Sequence, residues 1–77
     1  MINCLSFALR YWHLNPRYRI YYDSNHCVNL PIGSLVFNSN MIPLEQYGIT
    51  HFIEWYNQGL IDDFDLKLLK LYFHESN

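Results

Sequence analysis

The chain has 77 residues, 51% hydrophobic and 18% aromatic, with a net charge of −2 and two cysteines. That balance excludes a disordered segment, and two cysteines are too few for the disulfide framework of a small secreted domain. The length is near the low end of what one hydrophobic core stabilises, so residues 1–77 read as a single small domain.

Charge is unevenly spread. Residues 1–22 carry Arg10, Arg17 and Arg19 and no acid, whereas residues 23–77 carry all seven acids against Lys67 and Lys70. No basic start precedes an apolar core, as a signal peptide would require, and no apolar run is long enough to span a membrane. The expected setting is reduced and intracellular: a cytoplasm or, for a phage-encoded chain, a host cytoplasm or virion.

From Asn3 to Leu14 the residues Leu5, Ala8, Leu9 and Trp12 recur at helical spacing, and Asn15-Pro16 ends the run. Cys4 falls in the first turn of this helix. RYRIYY (17–22) reads as a strand with Tyr18, Ile20 and Tyr22 on one face. Asp23-Ser24-Asn25 turns the chain, and residues 26–30 return as a second strand. After a turn at Pro31 to Ser34, Leu35-Val36-Phe37 reads as a short buried strand, closed by Asn38-Ser39-Asn40.

Residues 43–48 fit a short helical turn or a loop. Thr50 to Tyr56 reads best as a strand with His51, Ile53 and Trp55 on one face, followed by a hairpin turn at Asn57-Gln58-Gly59. A helix over 50–58 with Gly59 as its C-terminal cap is the alternative. Asp62 or Asp63 then caps a last helix, with Phe64, Leu68, Leu71 and Tyr72 on its inner face. The expected fold is α+β: an N-terminal helix packed on a small antiparallel sheet, with a C-terminal helix.

A cysteine in a first helical turn has chemical potential, because unpaired N–H groups and the helix dipole there favour a thiolate. It needs a base, and His51, at the start of the strand over 50–56, is the best placed of His13, His26, His51 and His74. An orienting third group would be Asn57, Asp62 or Asp63. A zinc site from Cys4, Cys27, His26 and His51 lacks the paired spacing of structural zinc sites, so no metal and no cofactor is expected.

Three segments carry a family resemblance. Asn3-Cys4-x-Ser6-Phe7-Ala8 resembles the start of the nucleophile helix in papain-like cysteine hydrolases of the NlpC and CHAP type. Leu30-Pro31-x-Gly33-Ser34-Leu35-Val36-Phe37 is similar to the Pro-Gly-Asp-Leu-Val-Phe segment of their first central strand, with Ser34 in place of Asp and Ile32 inserted. Gly48-x-x-His51-Phe-Ile-Glu-Trp55 is similar to their next strand, which begins with the catalytic His. The resemblance implies Cys4 as nucleophile, His51 as base, Asp62 or Asp63 as the third residue, and a peptide or amide substrate. It equally allows a relative that keeps the fold without the activity.

Two other function classes stand beside it. Arg10-Tyr11-Trp12-His13 and Arg17-Tyr18-Arg19 interleave cations with aromatics, a composition typical of protein-binding hot spots. With Trp55, these give Arg10, Trp12, Arg17, Tyr18, Arg19 and Trp55 as candidate binding residues for a protein partner. This suits an accessory protein of a phage or mobile element that inhibits a host enzyme, joins a particle or forms an oligomer. The third class is nucleic-acid binding through residues 10–22, which three arginines and a negative net charge disfavour. The acids Asp62, Asp63 and Asp65 read as the charge complement of a helix N-terminus.

Overall fold

The computed structural model describes residues 2–23, 26–35 and 39–75. Helix α1 covers Ile2–Leu14, strand β1 Tyr18–Tyr22, strand β2 Cys27–Pro31, strand β3 Ile42–Pro43, helix α2 Ile49–Asn57 and helix α3 Asp63–Glu75. A single 3-10 turn, Leu44–Gln46, links β3 to α2. The α+β class holds, with the N-terminal helix, the antiparallel sheet and the C-terminal helix in the expected order.

Helix α1 ends where Pro16 forbids its continuation, and the N–H of Asn15 still closes on the carbonyl of Tyr11 at 2.8 Å. Arg17 follows directly, so β1 runs back along α1. Asp23 closes the next turn by donating its N–H to the carbonyl of His26 and accepting the His26 N–H on its carboxylate at 2.7 Å. The hairpin register pairs Tyr22 with Cys27, Ile20 with Asn29 and Tyr18 with Pro31. The sheet order is β2-β1-β3, with β1 central and β3 paired only to Tyr21 and Tyr22.

One cluster of buried side chains joins all these layers: Leu5, Ala8, Leu9 and Trp12 from α1, Ile20 and Tyr22 from β1, Leu44, Phe52, Ile61, and Leu68, Leu69 and Tyr72 from α3. The Asn29 amide, on the helix side of β2, donates to the Ala8 carbonyl at 3.0 Å and fixes α1 against the sheet.

Residues 49–57 form a helix, not the strand expected over 50–56. Apolar or aromatic residues at 49, 52, 53, 55 and 56 fit both periods, and the flanking chain decides. Gly59, at φ +77°, donates to the carbonyl of Tyr56 (3.0 Å), and Leu60 donates to that of Trp55 (2.9 Å). This pair of bonds is the Schellman closure of a helix, and it requires a left-handed residue at Gly59. The strand expected at Leu35-Val36-Phe37 lies largely outside the described residues, and Leu35 itself is exposed and not in a strand.

The inner face of α3 also shifts. Leu68 and Tyr72 are buried as expected, but Phe64 and Leu71 face outward and Asp65 and Leu69 face inward. Asp65 turns in because it has a destination. Its Oδ1 accepts from the Ser6 hydroxyl and from Arg10, each at 2.8 Å, tying α3 to α1. Asp62 is the cap: its carboxylate accepts the Asp65 N–H at 2.8 Å, and its own N–H faces the Asp65 carboxylate at 3.4 Å. The reciprocal pair is a capping box in which Asp plays the part more often taken by Glu.

Candidate interaction surface and the cysteine end of the sheet

Cys4 lies in the first turn of α1, half-buried and with a free thiol. His51 is exposed, in the first turn of α2, where its N–H donates to the Gly48 carbonyl at 3.1 Å. Its ring joins a set of aromatics: stacked on Tyr47 at 5.9 Å, edge-on to Phe52 at 4.8 Å, and 5.7 Å and 6.5 Å from Trp55 and Tyr22. Among the described residues no hydrogen bond joins Cys4 to His51. Both lie toward the same end of the sheet, since Tyr22 neighbours His51 and is paired with Cys27, which lies within electrostatic reach of Cys4.

The helical state of 49–57 separates His51 from the two carboxylates expected to assist it. A strand and tight hairpin would have folded Asp62 and Asp63 back toward His51. In the helix, His51 sits at one end and the acids follow the other, about 9 Å of helix axis away at about 1.5 Å per residue. Asp62 caps α3, and Asp63 accepts the Tyr56 hydroxyl. The Asp65 N–H, chief among several influences, holds the Asp62 carboxyl below its usual range.

Cys27 is packed against the core cluster. Burial first, then the negative charges of Cys4 and Asp23, pushes its thiol up to about 12. It is therefore protonated at neutral pH.

The candidate binding residues disperse. Trp12 is in the core at 2% exposure, edge-on to Tyr72 at 4.9 Å, which corrects its assignment to a binding surface. Arg10 pairs with Asp65 at 2.8 Å and lies over the Phe64 ring. Arg19 lies 3.6 Å from Glu45 and 4.2 Å over the Tyr72 ring. Tyr18 packs edge-on against Tyr11, and Trp55 is half-buried among the aromatics around His51. Arg17 is exposed. An interleaved ladder of cations and rings therefore does not stand on the surface, since two of its arginines reach internal carboxylates.

What does stand on the surface is a different stripe. Phe7 is 74% exposed, Leu14 78% and Tyr11 44%. Their spacing of four and three residues puts them on one face of α1, opposite Leu5, Ala8, Leu9 and Trp12. The signal was present in the sequence as a helix apolar on two faces, where a surface helix normally has one apolar stripe. Arg17, three residues beyond Leu14, is exposed, and residues 1–22 contain no acid.

An open groove runs along the outer side of α3, lined by Asp63, Leu66, Lys67, Lys70, Leu71 and His74. Of the residues expected to act, only Asp63 borders it. No group of three or more metal-ligating side chains occurs among the described residues, and no helix there is long and apolar enough to cross a membrane. Comparison with family models, with curated proteins and with solved structures gave no match.

Proposed function

We propose that this protein is a small interaction module that docks, through the outer face of α1, onto an apolar surface rimmed by acids on another protein. The observation that carries this reading is the exposure of Phe7, Tyr11 and Leu14 along a helix whose opposite face is already filled. Contiguous exposed apolar side chains bordered by polar groups mark interaction surfaces in folded proteins. With Arg17 exposed and no acid anywhere in residues 1–22, a basic rim on the partner would be repelled and an acidic one is favoured.

The test uses a photo-crosslinking residue at position 11, with the same residue at position 70 on α3 as control, in cells that naturally contain the protein. A partner captured at 11 and not at 70 is then titrated with purified chain. Phe7→Glu and Leu14→Glu are each expected to weaken binding at least tenfold without moving the melting midpoint, since both side chains are in water, and Cys4→Ala to leave binding unchanged. Equal affinity of the two Glu variants and the parent chain would overturn the reading. So would capture of nothing but a second copy of this chain.

A second reading is favoured by the place of Cys4 in a first helical turn at the His51 end of the sheet. In it, Cys4 attacks an amide or peptide carbonyl and His51 carries the proton, as in the papain-like hydrolases. Iodoacetamide at neutral pH should then alkylate Cys4 far faster than Cys27, and His51→Ala should slow the Cys4 reaction at least tenfold. Equal Cys4 rates in the two proteins would sink this reading without touching the first.

A further inference from the structure

The two thiols lie across the contact between α1 and β2, and two features of the fold bring them there. Because β1 runs back along α1 and β2 runs antiparallel to β1, helix α1 and strand β2 point the same way. The hydrogen bond from the Asn29 amide to the Ala8 carbonyl fixes one point of contact between them. Cys27 is two residues before Asn29 on the same side of the strand, a step of about 6.7 Å. Cys4 is one turn before Ala8, a step of about 6 Å. Equal steps in the same direction from a fixed point put Cys4 over Cys27. Both thiols are free, and both residues are half-buried rather than sealed in the core.

We infer that Cys4 and Cys27 are a dithiol pair that closes to an intramolecular disulfide when the chain meets glutathione disulfide, fastening the first turn of α1 to β2. The first turn is the part of a helix that moves at least cost, because its N–H groups have no partners within the helix. That freedom lets the two Cα atoms reach the separation of about 4.4–6.8 Å that a disulfide needs.

The exchange balances in two steps. The Cys4 thiolate attacks one sulfur of glutathione disulfide, whose S–S bond breaks and releases glutathione thiolate. Cys27 then gives up its proton and attacks the Cys4 sulfur of the mixed disulfide, and the second glutathione leaves and takes up a proton. Two protein thiols are oxidised and one glutathione disulfide is reduced to two glutathiones. The roles follow from position: Cys4 stands at the helix N-terminus, and Cys27 is packed against the core. Burial keeps the Cys27 thiol protonated at pH 7, so the second step is slow there. It should quicken about tenfold per pH unit up to pH 9, in step with the thiolate fraction.

The experiment incubates the reduced full chain with glutathione disulfide and follows intact mass, thiol alkylation and the linked peptides. The expected product is monomeric, lighter by two hydrogens, resistant to alkylation and yields one peptide pair joining residues 4 and 27. Its melting midpoint should rise by several degrees, and dithiothreitol should reverse the change. Cys27→Ser should stop at a stable glutathione adduct on Cys4. The inference is overturned if the parent chain also stops at that adduct, links only between chains, or fails to react.

Discussion

Replacing Asp65 with Ala is expected to lower stability by about 3 kcal/mol and to detach the N-terminus of α3 from α1. Asp65 is 4% exposed, and its Oδ1 gathers the Ser6 hydroxyl and the Arg10 guanidinium while Oδ2 faces the Asp62 N–H. Arg10 also donates to the Ser6 hydroxyl, so the three side chains form a closed ring. Breaking a wholly buried ion pair costs about 3–5 kcal/mol. The Arg10 side chain keeps 41% of its exposure and can return to water, which places the expected loss at the low end.

Asp65→Asn keeps the shape and one acceptor oxygen, and should cost about half as much. The Asp62 cap survives in both variants, because it accepts the N–H of residue 65 rather than its side chain. The Asp62 carboxyl is held below its ordinary value of 3.8. Its contribution is therefore complete above about pH 4 and is lost as pH falls further, in parent and variants alike. Urea melts at pH 7 of the parent, both Asp65 variants, Arg10→Met and the Asp65→Ala, Arg10→Met pair measure the loss and the coupling. Additive single-variant losses would show that the Arg10–Asp65 contact contributes nothing of its own.

The same aspartate shows where sequence reading stops. An acid in the first turn of a helix predicts a charge complement to the dipole, which Asp62 and Asp63 satisfy from outside. Nothing local distinguishes Asp65. It turns inward only because Ser6 and Arg10, more than fifty residues away in the chain, are carried to it by the packing of α1 on α3. Its inward turn displaces Phe64 and Leu71 to the outside, so the predicted face of α3 was rotated rather than misplaced. Arg19 repeats the lesson from the other side. Beside Tyr18 and near Trp12 it reads as part of a binding patch, but Glu45 and the Tyr72 ring lie beside it in the fold.

The helices at the two ends and the β1–β2 hairpin were legible because their signals are local: a period, an Asn-Pro stop, an Asp-rich turn. The segment 49–57 was ambiguous for a physical reason. Its aromatic and β-branched residues favour strands intrinsically, and tertiary burial of Phe52 against Tyr22 and Phe73 overrides that preference. The helix stop at Gly59 was the better guide, because a residue at positive φ is a stricter requirement than a side-chain preference. The second apolar stripe of α1 is masked by a related effect. Leu5, Ala8, Leu9 and Trp12 already satisfy the helical period, so the period alone gives Phe7, Tyr11 and Leu14 no place in the core.

Tyr72→Phe is expected to cost about 2 kcal/mol, although it removes one oxygen atom and no volume. Strand β3 pairs with β1 only at Tyr21 and Tyr22, so the outer edge of β1 at Ile20 lies beyond its end. The Tyr72 hydroxyl takes the missing strand's place, accepting the Ile20 N–H at 2.9 Å and lying 3.4 Å from the Ile20 carbonyl. It also donates to Glu45 at 3.0 Å. Ile20 and Tyr72 are fully buried, so the variant strands a backbone donor that water cannot reach. Tyr56→Phe is the matched control. Its hydroxyl also meets a carboxylate, that of Asp63, but in water, and its loss should leave the melting midpoint unchanged. The alkaline limb gives an independent reading. Burial foremost, opposed by the Ile20 backbone and aided by Glu45, raises the Tyr72 phenol well above its ordinary 10.0. A raised pKa means the unfolded chain gives up its proton first, so this contribution is whole below pH 10 and is lost as pH rises beyond it. Cys27, raised from 9.0 to about 12, begins the decline about a unit earlier. Tyr72→Phe should therefore start less stable at pH 7 but lose less between pH 10 and 12 than the parent, the two stability curves converging. Parallel curves would show that the Tyr72 hydroxyl is not the buried phenol that the fold requires it to be.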